Sequence, residues 1–385
     1  MISTSLRTRF ALTFALSIMV GSAVLSFAIG RRSSEEVRAE IGRNLTEVTQ
    51  QVADKLERGM WARAGEVALL ATLAELHQPV DPAAVQISID RLKHSIPHFS
   101  WIGFTDARGI VLAASDGILR GVDISRRPVF AEGVKGRFVG DVHEAVMLAK
   151  LLPNPTGETM KFVDISLPVM GRDGTVVGVM ASHLSWEWAR EVEQSVLTAS
   201  DASQGVEVFL VSASGTVLLG PSGHIGQPLA LDAVGKARRD GGGWSVETWS
   251  DGRAYLTGYA PARGYRDYGG LGWTIVARQP LETAFASVAE LQRHIMAWGA
   301  GVAVAFAALG WLVAGRVAAP LGRIALAADR LRMGEPAAIT VEKGVSEIES
   351  LGSSLRALID SLTRSEAARS HAEEHGQEYP EGQVA

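Results

Sequence analysis

Arg126 and Arg127 stand between the glycine-bearing stretch Gly121-Val122-Asp123-Ile124-Ser125 and a helix that the sequence predicts to begin near Pro128. Arginine presents a planar fork of donors that matches carboxylate or phosphate, and a helix start adds unpaired amides, so this pair is a candidate anion-binding element. The competing reading pairs one arginine with Asp123 or Asp141 and leaves the other in solvent. Other chemistry is sparse. The chain has no cysteine, which removes disulfides, thiolate metal sites and a thiol nucleophile. His94 and His98 have helical spacing but are interrupted by Pro97, and Asp141 with His143 is too short a signal by itself, so no metal site is expected. Ser370-His371 runs on into Ala372-Glu373-Glu374-His375, which gives it no phosphoacceptor context. With no Walker loop, HExxH or GxSxG, neither catalysis nor a cofactor is expected.

These side chains are carried by 385 residues with a net charge of −5 and interspersed signs. No basic stripe tracks a phosphate backbone, so nucleic acid is not an expected partner. The apolar residues are concentrated in two blocks, 10–30 and 294–315, each just long enough to cross a bilayer as a helix. A cleaved signal peptide is the rival reading of the first, with Ser26-Phe27-Ala28 as a small-x-small site, but the run is long for a signal core and a helical pattern follows at once. Two spans put residues 1–9 and everything after 315 on one side. The cluster Arg316, Arg323, Arg330 and Arg332 assigns that side to the cytoplasm and residues 31–293 to the outside. Trp298 and Trp311 suit the two membrane interfaces.

After the first span, Ser33 to Glu36 reads as a capping box. Val37, Ile41, Leu45, Val48, Val52 and Leu56 then recur every three or four residues, predicting a long amphipathic helix over 33–76 that the Gln78-Pro79 and Asp81-Pro82 steps stop. From 99 to 279 the period becomes that of strands, punctuated by Arg108-Gly109, Asp173-Gly174, Ser214-Gly215 and Asp251-Gly252. Ala107-Arg108-Gly109-Ile110-Val111-Leu112 matches Ala213-Ser214-Gly215-Thr216-Val217-Leu218 in register, and each half later has a strand with a proline, Pro168 and Pro261. The fold class expected is therefore α+β, with two copies of one small antiparallel module, about 85–200 and 205–280, on a long N-terminal helix. Trp186, Trp188, Trp244, Trp249 and Trp273 are expected to pack these modules.

The helix after a first span followed by Trp101-Ile102-Gly103-Phe104-Thr105-Asp106 resembles the double-Cache sensor domains of bacterial receptors. So do the run from Gly121 to Phe130, the run from Val163 through Pro168 to Gly178, and the exit strand Gly272-Trp273-Thr274-Ile275-Val276-Ala277-Arg278-Gln279-Pro280. The resemblance covers about 33–293 and implies two PAS-like modules, the membrane-distal one holding the ligand. Beyond the second span, Arg316-Val317-Ala318-Ala319-Pro320-Leu321, the break at Gly334-Glu335-Pro336 and the heptad seam Ile348, Leu351, Leu355, Leu358 and Leu362 make 316–365 similar to a HAMP domain, two short helices per chain that dimerise into a four-helix bundle. Pro320 and Glu347 stand where that family has its proline and its acidic residue, and Glu349 where it often has glycine. Residues 366–385 read as a polar, disordered tail.

The resemblance implies that Arg127 binds a ligand carboxylate. Amino-acid-sensing members follow that arginine with Trp-Tyr and put an amine-binding aspartate on the last strand; here Pro128-Val129-Phe130 and Ala181-Ser182-His183 stand instead. The expected ligand is thus a small organic anion rather than an α-amino acid, with His183 as a pH-sensitive donor. Trp101, Asp116, Phe130, Asp141, His143 and Asp164 are further candidates for the pocket wall. Taken together, the chain reads as a homodimeric inner-membrane sensor that signals through a separate cytoplasmic protein. The alternatives are a membrane-tethered binding or scaffold protein and a truncated receptor kinase, cyclase or chemoreceptor.

Overall fold

The structure is a computed structural model that describes residues 6–76, 79–144, 147–154, 157, 159–333 and 346–374. The chain forms two compact units, Ser33–Ser287 on the one hand and Met1–Arg32 with Val288–Ala385 on the other.

In Ser33–Ser287 the fold is α+β. The long helix α1 (Leu6–Leu76) supplies one face of its core, and α2 (Pro82–Ser95) follows, capped by Asp81, whose side chain accepts from Ala83 N, with Pro82 in the first turn. Next come β1 (Phe99–Thr105), β2 (Val111–Ala114), α3 (Pro128–Ala131), β3 (Phe138–Glu144), β4 (Lys161–Met170) and β5 (Val176–Ser185). They make a five-stranded antiparallel sheet in the order β2-β1-β5-β4-β3. After α4 (Glu187–Gln194) and α5 (Ala199–Ser203) the pattern repeats with β6 (Glu207–Val211), β7 (Val217–Leu219), α6 (Asp232–Asp240), β8 (Gly243–Thr248), β9 (Ala254–Pro261) and β10 (Thr274–Pro280), in the order β7-β6-β10-β9-β8. Each strand of the second sheet has the place of the strand five before it, so the half-chain repeat is a structural repeat. The four turn pairs lie between β1 and β2, β4 and β5, β6 and β7, and β8 and β9, and their glycines have φ between +77° and +92°, a conformation with a steric cost for any Cβ.

Strand alternation gives each sheet two faces with different tasks. On the first sheet, Ile102, Phe104, Val163, Ile165, Met180 and Leu184 join the core with the α1 stripe Leu45, Val48, Val52, Leu56, Met60, Ala64 and Val67. Val208, Leu210, Leu256, Ile275 and Ala277 of the second sheet enter the same core. The helix approaches β9 so closely that a Cβ on Gly258 would meet the backbone of Leu45, which explains a glycine in the middle of that strand. The opposite face of the first sheet carries Trp101, Phe162, Val179 and Ala181 under the loop that contains Ile124, Val129 and Phe130.

The capping box expected at Ser33 to Glu36 is not used as a cap. The apolar stretch before it is itself helical, so its amides find carbonyls four residues back and α1 runs on through it. In the second unit, residues 6–32 of α1 run antiparallel to α8 (Ala286–Arg332), which follows α7 (Leu281–Ala284). Small residues mark the seam: Gly299 lies against Ser22, Gly310 against Phe14, and the Arg7 guanidinium donates to the Gly315 carbonyl at 3.2 Å. The best 18-residue windows of these two helices have mean hydropathies of 2.1 and 1.9, and only 6% and 17% of them is buried. That length and composition suit a bilayer span. The break at Gly334-Glu335-Pro336 lies outside the described residues, as do 375–385. Helix α9 (Ser346–Glu374) continues into the polar segment that begins at 366.

Candidate functional site

The face of the first sheet turned away from α1 carries a row of side chains fixed by strand register. Trp101 on β1 is the cross-strand partner of His183 on β5, and His183 is the partner of Asp164 on β4. On β3, Gly140 pairs with Asp164 and His143 with Phe162, across an irregularity between them that brings the His143 ring beside Asp164. Partners this close touch. Asp164 Oδ1 lies 2.6 Å from His183 Nδ1 and 2.7 Å from His143 Nε2. The His183 ring is sandwiched by Trp101 and Phe162, with centroids at 5.5 and 5.4 Å.

Over this row folds the loop that leads to α3. Val111 N donates to Val122 O and Ile124 N to Gly109 O, so the loop is clamped to the β1–β2 hairpin. The Trp101 indole N–H donates to the Ile118 carbonyl at 2.9 Å, and Leu119 holds a positive φ of 67°, a strained setting for a non-glycine residue. Between loop and sheet is a cavity of about 560 Å³, walled by Trp101, Leu119, Arg127, Phe138, Phe162 and Met147 and by Asp141, His143, Glu144, Asp164 and His183. Its size and its apolar walls with a few convergent polar groups suit a small ligand. A larger cleft of about 910 Å³, which runs from Lys93 and Lys161 to Leu218, carries Glu144, Glu187 and Arg190 but no histidine and no part of the Asp164 row.

The electrostatics of the row are specific. Burial would raise the Asp164 carboxyl, but the hydrogen bonds from His143 and His183 outweigh it and hold it at about 2. The same bond to Asp164 raises His143, against burial and against the charge of Arg127. Arg127 is half-buried at the wall, and among the described residues no carboxylate is ion-paired with it. The rivals for pairing are engaged elsewhere: Asp123 Oδ1 accepts from the Ser125 amide and Asp141 Oδ1 from the Trp273 indole at 2.8 Å.

Of the residues singled out in the sequence, Arg127, Trp101, Asp141, His143, Asp164 and His183 line this one cavity. Arg126 does not; it is exposed beside Asp123. Phe130 is buried in the apolar cluster that supports the loop. Asp116 lies outside the cavity, near Lys93. Helix α3, expected to offer amides to an anion, is a single turn of four residues. Phe138, Glu144, Met147 and Phe162 also line the cavity, and the sequence reading does not single them out. The alternation of Phe162, Asp164 and Ser166 against Val163 and Ile165 is the signal that would have placed Phe162 on the cavity face.

The family model described as Cache domain matches residues 33–288. No curated protein matches the chain. Among solved structures, the ligand-binding domain of the Pseudomonas aeruginosa PAO1 amino acid chemoreceptor PctB, in complex with L-Arg, is 19% identical with a TM-score of 0.49, covering 64% of this chain and 98% of that one. The corresponding domain of the P. aeruginosa PAO1 chemoreceptor PctC, in complex with GABA, is 22% identical with a TM-score of 0.48, covering 62% and 99%. That of the Campylobacter jejuni chemoreceptor Tlp3, with L-norvaline, is 12% identical with a TM-score of 0.47, covering 65% and 94%.

Proposed function

The chain belongs to the Cache-domain family, and from that premise we propose that it is a non-enzymatic transmembrane receptor of the bacterial inner membrane, whose distal module senses a small solute outside the cell. Arg127 carries this reading: a half-buried guanidinium without an ion-pair partner among the described residues, set in the wall of a partly open cavity, is placed to receive a carboxylate. The solute is a small organic anion, oriented by Arg127 and the histidines that line the same cavity. Spans within α1 and α8 hold the sensor unit outside and the termini in the cytoplasm.

Residues 316–365 act in this reading as a HAMP-type relay to a cytoplasmic signalling partner. Pro320 sits inside α8 and Glu347 in the first turn of α9. Leu351 and Leu358 are 48% and 56% exposed in the single chain, and Leu355 on the same seam is half-buried; the side chain of Ile348 lies outside the described residues. An apolar heptad seam left in water is stabilised by a second copy, which makes the receptor a homodimer. The solute biases the relay only by its differential affinity for two arrangements of that dimer. Because the chain has no native cysteine, single substitutions report this directly. Leu351→Cys and Leu355→Cys should each give disulfide-linked dimers in membranes, whereas Ser353→Cys, off the seam, should not. Equal crosslinking at all three positions would remove the parallel dimer.

The ligand reading is tested by a thermal-shift screen of the full chain in detergent micelles against organic acids, amino acids and amines. An acid at a hundredfold over its dissociation constant should add about 2.7 kcal/mol of apparent stability, and Arg127→Ala should abolish the shift. A shift that survives Arg127→Ala, or one confined to amines, contradicts it. No shift with any class favours a tethered scaffold.

A further inference from the structure

The cavity wall that carries Arg127 has the wrong charge for a bare anion. One arginine stands against three carboxylates, Asp141, Glu144 and Asp164, a formal excess of two negative charges that one divalent ion cancels. At the centre of that wall three donor atoms converge: Nε2 of His143, Nδ1 of His183 and Oδ1 of Asp164 all lie within 4.8 Å of one another. We propose that His143, Asp164 and His183 form a binding site for a divalent transition-metal ion of the zinc class, with its open coordination positions facing the cavity. The proposal rests on the distal cavity being the ligand pocket, and it sharpens the ligand class to a metal ion or a metal-bound carboxylate.

The donor set is chemically selective. Two imidazoles and one carboxylate suit zinc, cobalt, nickel and copper, whereas magnesium and calcium prefer all-oxygen shells. The site is also supported from behind. His143 Nδ1 is 3.1 Å from the Glu144 carbonyl oxygen, which can only accept, so Nδ1 carries the hydrogen and orients the ring. A neutral His143 then has only a lone pair on Nε2, and it points at a carboxylate oxygen that also has only lone pairs. That contact is attractive when a proton or a cation sits between the two atoms. Asp164 is 5% exposed at its side chain and its partners in the row are these two histidines, so its charge has no arginine or lysine ion pair to satisfy it among the described residues.

The geometry needs only small changes to close on an ion. Bond lengths of about 2.0 to 2.1 Å put tetrahedral donors roughly 3.3 Å apart. The two nitrogen–oxygen separations, 2.6 and 2.7 Å, therefore open by about 0.6–0.7 Å, and the histidine nitrogens draw together. His143 can follow by side-chain torsion because its ring is 43% exposed, while the His183–Asp164 pair, 13% and 5% exposed, opens by small rotations of side chains whose backbone the sheet holds. Three protein donors leave a fourth position toward the cavity, where water or a ligand carboxylate completes the sphere, as in open zinc sites. A carboxylate bound there has Arg127 on the same cavity wall to receive its other oxygen.

The test is a titration of the full-length protein in detergent micelles, stripped with chelator, using Co²⁺ read by its visible absorption and Zn²⁺ read by competition with a chromophoric chelator. The expected result is one ion per chain with a low-symmetry Co²⁺ spectrum, no displacement by millimolar Mg²⁺ or Ca²⁺, and retention in Arg127→Ala. His143→Ala, at a ring that is 43% exposed, should weaken Zn²⁺ by roughly a hundredfold or more, since loss of a mere supporting contact already costs about 10- to 100-fold. Asp164→Asn should do the same, and a single cooperative melting transition of metal-free His143→Ala guards against a folding artefact. Absence of a Co²⁺ spectrum, or unchanged affinity in His143→Ala, overturns the proposal. The organic-acid screen, run metal-free and metal-loaded, separates the two readings. An acid shift in metal-free protein with a blank metal titration keeps the anion reading and removes the metal site. Metal binding with no acid shift in either form keeps the metal site and removes the anion reading.

Discussion

Trp273→Ala should cost the sensor unit about 3–5 kcal/mol, the largest loss expected from any single truncation considered, and should lower its melting temperature on the order of 10 °C. Trp273 precedes β10 in the second module and is 1% exposed. Its ring meets Trp186 edge to face at 5.5 Å, and Trp186 in turn donates its indole N–H to the Leu218 carbonyl. The Trp273 N–H donates to Asp141, which belongs to the wall of the first-module cavity. Truncation therefore opens a void between the modules and frees a cavity carboxylate at once. Trp273→Phe keeps most of the apolar contact and should lose only the hydrogen bond, roughly 1–2 kcal/mol. A Trp273→Ala protein that melts within about 2 °C of wild type would mean that the modules do not stabilise one another.

Glu57→Gln should raise stability at pH 8 by up to about 3 kcal/mol and leave it unchanged at pH 4. Glu57 is on α1 and 3% exposed. Burial pushes its carboxyl up, the Gly264 amide draws it partly back, and Asp54 adds repulsion; the result is about 7. The sign follows from proton counts. Between about pH 4.5 and 7 the folded state holds a proton that the unfolded chain has released, so stability is full below that window and falls as pH rises through it. Glutamine stands in for the protonated acid and removes the slope. His143, also raised, contributes a loss of the same sign near neutrality, so the informative quantity is the difference between Glu57→Gln and wild type. Parallel melting-temperature profiles from pH 4 to 8 would show that Glu57 does not titrate there.

Much of the fold is legible because it is written locally. The α1 stripe from Leu45 to Val67 has the helical period and is the buried stripe. The four turn pairs are hairpin ends because glycine at positive φ is a property of two or three residues. The half-chain repeat announces two modules, and their shared strand order follows. Local signals also mislead: Ser33 and Glu36 have capping-box spacing, yet a cap forms only where a helix begins, and here the helix is already under way.

The candidate site divides along the same line. Arg127 could be picked out because arginine chemistry and its place after a glycine-bearing loop are local, but nothing local distinguishes it from Arg126, one residue away and exposed. Phe130 looks like a pocket aromatic and is a strut, since its direction is set by a single helical turn packing on the sheet. By itself the sequence determined the α+β class, the two modules and the two apolar helices, all of which depend on residue type and short-range periodicity. Only the tertiary structure decided that His143, Asp164 and His183 meet. They come from three strands, and their meeting depends on cross-strand register and on one irregularity in β3 between Gly140 and His143. Because side chains alternate faces with a period of two, a slip of one residue would have turned the three away from each other while leaving every local pattern intact.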